Sequence, residues 1–201
     1  MENILSLDMS NICFKGSTLD VGNDNYGVIY NILKNYSDEI SVDYYEDNLE
    51  ENYKYDNGVM FFSLSQISSN LEKEKIIEEI WYNLKFGGIL YIWDREKKQK
   101  EIAKDKINVL LPNGRKKEFN FNNLSPFIDF TENTLEKVLE KYFEIQETKV
   151  CDKIIYIKAI RRGSIKDENT INSSKFKIYS QQFSSEIFKS IYKGLKFPRR
   201  H

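Results

Sequence analysis

Apolar residues occur with two different spacings along the first 95 residues, and the two spacings alternate. Short runs rich in apolar residues are typical of strands buried in a sheet, whereas apolar residues three and four positions apart mark one face of a helix. This alternation favours a parallel sheet whose strands are connected by helices. The predicted strands are 18–21, 40–44, 57–64 and 89–93, and the predicted helices are 28–33 and 71–84.

A glycine pair, Gly87-Gly88, stands between the second predicted helix and the strand that follows it. Glycine adopts the positive φ with which many helices end. We therefore expect the pair to form the C-terminal cap of that helix. Residues 96–106 come after the next strand, and their high charge predicts a helix at the surface.

The spacing of apolar residues changes again after residue 106. Residues 107–111 and 116–121 flank an Asn113-Gly114 pair. Because this pair accommodates the positive φ of a tight turn, the segment predicts a β-hairpin.

The last part of the pattern contains one helix and two strands. Thr131 is a residue type that caps helices, and it predicts a helix that continues to Tyr142. Residues 143–150 and 153–160 predict two antiparallel strands. The sequence therefore predicts an α/β fold with a mostly parallel sheet, helices on both faces and an antiparallel strand pair at its end.

Composition limits the partners that such a fold would have. The chain has 30 Lys and Arg against 31 Asp and Glu, so no overall charge favours nucleic acid. Cys13 and Cys151 lie too far apart to match a metal or redox motif, and we expect no metal site. There is no apolar run of about 18 residues and no signal-peptide pattern. We therefore expect a cytoplasmic protein without a membrane span.

Residues 162–201 have a different character from the predicted domain, 1–161. They contain nine basic residues against three acidic ones. Polar residues 164–174 predict a linker, and apolar residues every four positions from Phe183 to Leu195 predict an amphipathic helix. This tail fits its own domain, a second copy, an anionic membrane or RNA. Docking or dimerisation is favoured, because aromatic residues at helical spacing are usually buried.

Four features, taken in their order and spacing, carry a resemblance to a known family. Leu19-Asp20-Val21-Gly22 ends a predicted strand, and Asp43 comes 21 residues after the glycine. Residues 55–67 form an apolar strand with a loop, and residues 77–88 form a helix with the glycine pair. Together with the two closing strands, these segments resemble the class I S-adenosylmethionine-dependent methyltransferases over residues 17–161.

The resemblance implies a Rossmann-like methyltransferase sheet and S-adenosylmethionine as the cofactor. A strand-to-helix turn with little side-chain bulk lets backbone N–H groups approach the methionyl carboxylate. The carboxylate of Asp43 would accept hydrogen bonds from the ribose hydroxyls, and Asp24 would meet the ammonium group. The residues that the resemblance assigns to the cofactor are Asp20, Gly22, Asp24, Gly27, Asp43, Ser63 and Leu64.

The chain departs from the family pattern at two places. Asp24 and Tyr26 stand where the family usually has glycine, and Phe86 stands where it usually has proline. Only 13 residues separate Asp43 from Asp56, which is too few for the usual strand and helix. Either an edge strand is missing, or residues 44–47 are the adenine-contacting strand end and the ribose-binding strand is missing. The spacing from Gly22 to Asp43 favours the first assignment.

These observations predict methyl transfer from S-adenosylmethionine to an unidentified acceptor, which we expect to be a small molecule. The hairpin 107–121 and the N-terminal dozen residues are candidates for the acceptor pocket. The loop 63–66 lacks the Pro-Pro-aromatic motif of base-amino methyltransferases, and the sole histidine, His201, ends the chain. We therefore assign no catalytic residue. The alternatives are a degenerate relative that serves as an interaction module, and an RNA-directed methyltransferase that uses the basic tail.

Overall fold

The computed structural model describes residues 3–22, 26–36 and 55–163 of the 201-residue chain. The predicted strand 40–44 and the predicted linker and helix of the tail lie outside these residues. The elements within them are β1 (Asn3–Asp8), β2 (Thr18–Asp20), α1 (Val28–Tyr36), β3 (Tyr55–Phe61), α2 (Asn70–Asn83), β4 (Leu84–Arg95), β5 (Ala103–Leu110), β6 (Lys116–Asn123), α3 (Glu132–Leu139), β7 (Phe143–Cys151) and β8 (Ile154–Arg161).

The main sheet has five described strands in the order β2-β3-β4-β8-β7. The first three run parallel, β8 is antiparallel to β4, and β7 is antiparallel to β8. These strands correspond to the predicted strands 18–21, 57–64 and 89–93 and to the predicted closing pair. The α/β fold, with a mostly parallel Rossmann-like sheet that ends in an antiparallel pair, is therefore confirmed.

Both faces of this sheet are covered, as the apolar strands predict. On one face, Met60 and Ile92 of the sheet share an apolar cluster with Ile77 and Ile80 of α2 and Leu135 of α3. On the other face, the sheet residues pack with α1 and with a second, smaller sheet. The buried residues of that second cluster include Val59, Phe61, Val28, Ile29, Ile32, Ile107 and Val109.

The smaller sheet has three described strands in the order β1-β5-β6. β1 is parallel to β5, and β5 and β6 form the predicted hairpin, which is longer than the sequence predicts. The Leu111 N–H donates to the Arg115 C=O at 2.9 Å, and Gly114 has a φ of +75°. The loop thus contains three residues, and Gly114 supplies its positive φ.

The surface helix predicted over 96–106 is wrong. Strand β5 begins at Ala103, and Asp105 and Ile107 are buried with it while their neighbours are not. Burial with a period of two belongs to a strand, since a helix would place these residues on different faces. High charge predicted exposure, but Arg95 and Asp105 are both buried and form an ion pair of 2.8 Å.

The helix cap predicted at Gly87-Gly88 is also wrong. Helix α2 ends at Asn83, and β4 begins with the next residue, Leu84. Leu84 pairs with Tyr55 and Ile89 pairs with Asn57, so residues 85–88 form a bulge in β4. Gly87 has a φ of +73° in this bulge. The glycine pair therefore permits the bulge, and does not end the helix.

Two other boundaries differ by a few residues. Strand β3 ends at Phe61, because Phe62 has a φ of +49° and turns the chain out of the sheet. Helix α3 begins after Thr131 as predicted, where the Thr131 N–H donates to the Thr134 hydroxyl at 2.8 Å, but it ends at Leu139 and not at Tyr142. No helix in the described part of the chain is long and apolar enough to cross a membrane.

Arg161 connects the end of β8 to the bulge in β4. Its guanidinium carbon lies 4.3 Å from the centre of the Trp81 ring and 4.5 Å from that of Phe86. The Arg161 Nε also donates to the Trp81 C=O at 2.7 Å. Phe86, which takes the place of the usual proline, thus covers one side of a buried cation.

We predict that Arg161→Lys lowers the free energy of unfolding by about 1–2 kcal/mol, because an ammonium group cannot stack as a planar guanidinium does. Urea denaturation measures this loss. The control is Lys149→Ala, which removes an ion pair whose lysine side chain is 67% exposed, and it should change stability by less than about 0.5 kcal/mol. Equal effects of the two substitutions would show that the stacking contributes nothing.

Burial also makes the stability depend on pH through Glu79 of α2. Only 9% of Glu79 is exposed, and its Oε2 has no hydrogen-bond partner among the described residues. Burial, with repulsion from Glu78, raises the pKa of Glu79 to about 8, from an ordinary value of 4.5. The folded chain therefore keeps this proton at pH values where the unfolded chain has lost it, and the stability falls as the pH rises from about 4.5 to about 8.

We predict that Glu79→Gln removes most of this decline. The gain in unfolding free energy relative to the unsubstituted chain should be about 3 kcal/mol larger at pH 8 than at pH 5. Urea denaturation at the two pH values measures it, with the exposed Glu144→Gln as the control. A gain that is the same at both pH values would contradict the assignment.

Candidate functional site

The carboxyl ends of β2 and β3 lie side by side at one edge of the main sheet. Asp20, the last residue of β2, pairs with Val59, and the Val21 N–H donates to the Val59 C=O at 2.8 Å. The chain then leaves both strands, and the Ser63 hydroxyl donates to the Val21 C=O at 3.2 Å. Parallel strands place the segments that follow them at the same edge, which is where open α/β sheets bind ligands.

Gly22 makes the closest approach between the two segments. A Cβ atom added to Gly22 would lie 2.9 Å from the Ser63 Cβ and 3.1 Å from its hydroxyl oxygen. Apart from the chain neighbours of Gly22, no other described residue has an atom within 4 Å of that position. Among the described residues, Ser63 is therefore the one that requires glycine at position 22.

Tyr26 and Gly27 form the described end of the turn that leads into α1. Both have left-handed backbone angles, with φ of +54° and +67°. This conformation is easy for Gly27 but costs a residue such as Tyr26 about 1 kcal/mol or more. The Tyr26 ring stacks on Phe119 of β6, with 3.8 Å between ring centres and 10° between planes. The small sheet thus packs against the turn through an aromatic pair.

Lysine 117, two residues before Phe119, also reaches this turn. The Lys117 Nζ lies 3.8 Å from the position that a Cβ of Gly27 would occupy. Sequence reasoning assigned the hairpin to the acceptor, and it did not connect Lys117 or Phe119 with the turn after β2. Only the pairing of β6 with β5, and of β5 with β1, brings this face of the hairpin to α1.

Ser63 and Leu64 have different positions in the turn after β3. Ser63 is half-buried against Gly22, whereas the Leu64 side chain is 0% exposed and belongs to the apolar cluster of α2 and α3. Leu64 is therefore a core residue, and its predicted contact with the cofactor stays a prediction. The structure thus brings together the predicted Asp20, Gly22 and the turn 63–64 at one edge, and it places Gly27 at the start of α1, close to Lys117.

Asp24 and Asp43 lie outside the described residues. Their assignment to the ammonium group and to the ribose stays a prediction. In the described part of the chain, no group of three or more His, Cys, Asp or Glu residues is arranged to hold a metal ion.

Sequence reasoning missed Asp94, which lies beneath the turn after β3. Its side chain is 0% exposed and accepts hydrogen bonds from the Ser65 N–H at 2.8 Å and from the Ser65 hydroxyl. Burial raises the pKa of Asp94 to about 6, although the donors of Ser65 and Arg95 lower it. The signal in the sequence was an aspartate directly after the apolar run that ends at Trp93.

Buried charges continue from Asp94 along β4. The Arg95 guanidinium binds Asp105 at 2.8 Å and Glu101 at 3.0 Å. Burial opposes the ionisation of Glu101, but hydrogen bonds from Lys98, Lys153 and Arg95 lower its pKa to about 2. These contacts hold the connection between β4 and β5 close to the carboxyl end of β4.

Comparisons with known proteins give no match to a family model and no match to a curated protein. Among solved structures, a 1,6-didemethyltoxoflavin-N1-methyltransferase of Burkholderia thailandensis, bound to 1,6-didemethyltoxoflavin and S-adenosylhomocysteine, is 14% identical with a TM-score of 0.48, over 73% of this chain and 71% of that one. An S-adenosylmethionine-dependent methyltransferase of Clostridium acetobutylicum is 13% identical with a TM-score of 0.48, over 80% and 85%.

The PH0226 protein of Pyrococcus horikoshii is similar to the same degree, with 13% identity and a TM-score of 0.48 over 77% of this chain and 85% of that chain. Likenesses of this size do not assign a function. The function of this chain is therefore argued from its own residues.

We predict that Gly22→Ala lowers the free energy of unfolding by about 1–3 kcal/mol, because the new methyl group overlaps Ser63. The control is Gly163→Ala, whose added Cβ would meet nothing within 4 Å. In a Ser63→Gly background the cost of Gly22→Ala should fall below about 1 kcal/mol. Thermal or urea unfolding of the four variants measures this coupling, and an unchanged cost in that background would show that the two residues do not touch.

Proposed function

We propose that this chain is an S-adenosylmethionine-dependent methyltransferase that acts on a small-molecule acceptor. The observation that carries the proposal is the close approach of Gly22 to Ser63 at the carboxyl ends of β2 and β3. It leaves backbone, and little side-chain bulk, at the edge of the sheet where the resemblance places the cofactor. Helix α1 follows β2 along the chain, so its first N–H groups are expected on the side of the carboxyl end of β2.

Each part of this edge has a distinct role in binding. The first N–H groups of α1 bind the methionyl carboxylate, because a helix N-terminus carries partial positive charge. Asp20 and Ser63 lie beside Gly22 and offer polar contacts to the adenosyl part. Asp24 binds the ammonium group and Asp43 the two ribose hydroxyls, and a charged acceptor makes such a bond worth roughly 1.5–3 kcal/mol.

The bound cofactor supplies an activated methyl group on a sulfonium, so the protein mainly aligns the acceptor and excludes water. No residue needs to act as a dedicated base when the acceptor is already nucleophilic. This agrees with a described site that contains no histidine, since the only histidine of the chain is His201.

The acceptor binds between the edge of the main sheet and the small sheet. The hairpin of β5 and β6 contacts the turn after β2 through the stack of Phe119 on Tyr26. A segment that packs on the cofactor turn is placed to hold an acceptor near the methyl group. The chemical identity of this acceptor is open.

A second function, that of an interaction module without catalysis, is favoured by the same aromatic stack. Phe119 is 7% exposed, and Tyr26 packs against the apolar cluster that contains it. A turn closed by such packing would bind the cofactor weakly. Ligand binding distinguishes the two functions.

We predict that S-adenosylmethionine and S-adenosylhomocysteine bind with a Kd below roughly 1 mM, which corresponds to about 4 kcal/mol. Isothermal titration calorimetry on the full chain measures it. Asp43→Asn should weaken binding about tenfold, because the amide loses a charged acceptor. The control, Asp56→Asn, changes a carboxylate at the opposite end of β3 and should leave the affinity unchanged.

If neither ligand binds below about 1 mM, the enzyme function is rejected and the interaction module is retained. If both ligands bind but Asp43→Asn has no effect, the cofactor stays, residues 44–47 become the adenine-contacting strand end, and the ribose-binding strand is the one that is missing.

A further inference from the structure

The turn after β3 is held from below by one buried carboxylate. Asp94 accepts a hydrogen bond from the Ser65 N–H at 2.8 Å, another from the Ser65 hydroxyl, and a third from the Arg95 N–H at 2.7 Å. The Leu64 backbone also donates to Asp94, so every donor except the Arg95 N–H belongs to the turn. A charged acceptor makes shorter and stronger bonds than a neutral one, particularly where water is excluded.

The other contacts of this turn are neutral. The Asn123 side chain donates to the Ser65 C=O at 2.8 Å, and the Ser63 hydroxyl donates to the Val21 C=O at 3.2 Å. The turn also begins with Phe62 in a left-handed conformation, which a non-glycine residue adopts only when its surroundings hold it there. Among the hydrogen bonds described for this turn, those to the Asp94 carboxylate are therefore the ones with a charged partner.

Few other charges act on Asp94. Lys73 of α2 is 4% exposed and is attracted electrostatically to Asp94 and Asp129, while burial lowers the pKa of Lys73. The side chain of Arg95, the next residue in β4, binds Asp105 and Glu101 instead. Asp94 thus faces one lysine from the helix side, and its hydrogen-bonding capacity is directed to the turn.

We propose that Asp94 is a positioning residue whose carboxylate holds the turn after β3 with Ser63 against Gly22, and so determines how tightly the cofactor binds. Its effect on binding rests on the proposed function, whereas its effect on the turn does not.

Protonation of Asp94 gives this role a distinctive pH dependence. A protonated carboxyl becomes a donor at one oxygen, so it no longer accepts from both the N–H and the hydroxyl of Ser65. Burial raises the pKa of this group to about 6 from an ordinary 3.8. The stability contributed by Asp94 therefore falls as the pH rises from about 4 to about 6, because the folded chain holds the proton longer. Cofactor affinity changes in the opposite direction, since the charged form accepts from the turn at both oxygens, whereas the protonated form accepts at only one.

The experiment compares Asp94→Asn with the full chain and with the matched control Asp56→Asn. Asp56 also accepts from a serine N–H and a serine hydroxyl, those of Ser17, but at the amino end of β3. Hydrogen exchange followed by NMR at pH 7.5 reports the turn, and calorimetry with S-adenosylhomocysteine reports binding between pH 5 and pH 7.5. Ser65→Ala, which keeps the carboxylate and removes one donor, serves if Asp94→Asn does not fold.

We expect Asp94→Asn to speed exchange of the Ser65 amide about tenfold or more and to weaken S-adenosylhomocysteine binding roughly tenfold, the loss expected for one charge-assisted hydrogen bond. Binding to the full chain should weaken as the pH falls through about 6, and binding to Asp94→Asn should lack this step. Ser65→Ala should show the same changes at smaller size, and Asp56→Asn should show neither.

Unchanged exchange at Ser65 in both Asp94→Asn and Ser65→Ala would overturn the proposal, whether or not a ligand binds. Faster exchange with unchanged affinity and an unchanged pH profile would overturn the effect on binding. Absence of binding to the full chain itself would instead reject the proposed function, and the exchange data would then decide the role of Asp94 in the turn alone.

Discussion

The approach of Gly22 to Ser63 is the contact on which the arrangement of the strand ends depends. The two residues follow neighbouring parallel strands, and the distance between those segments is too short for a side chain at Gly22. A larger residue would push the turn after β3 away from the turn after β2. Because the candidate ligand edge consists of these two turns, its shape follows from the contact between them.

Buried charges hold the turn after β3, and burying charges is unfavourable for stability. Asp94, Arg95 and Asp105 are each at most 1% exposed. Removing a carboxylate from water is unfavourable unless donors replace its hydration. Here each charged group has such donors or an ion-pair partner. The arrangement fixes geometry at the carboxyl end of β4 at a cost in stability, which is a common property of functional sites.

The sequence predicted the main sheet well, because its strands and helices carry clear apolar periods. It also predicted the hairpin and the closing strand pair. It failed where charge was taken as a sign of exposure. Residues 96–106 were expected to form a surface helix, but Glu101 and Asp105 form ion pairs with the buried Arg95. Such pairing depends on how β4 and β5 lie in the fold, so no periodic pattern reveals it.

The site was predictable only in part, for the same reason. Asp20, Gly22 and Ser63 could be predicted because they stand at or just after the ends of two predicted strands. The structure places them together. Asp94 and Phe119 act on these turns from other strands, and their roles depend on sheet order and on the packing of the small sheet. Asp24 and Asp43 remain predictions that rest on the resemblance.

The most direct measurement is an NMR titration of the full chain with S-adenosylhomocysteine. The account predicts that the largest amide shift changes occur at Gly22, Gly27 and Ser63, at the carboxyl ends of β2 and β3. The absence of any saturable change, or changes confined to residues far from these strand ends, would contradict the account.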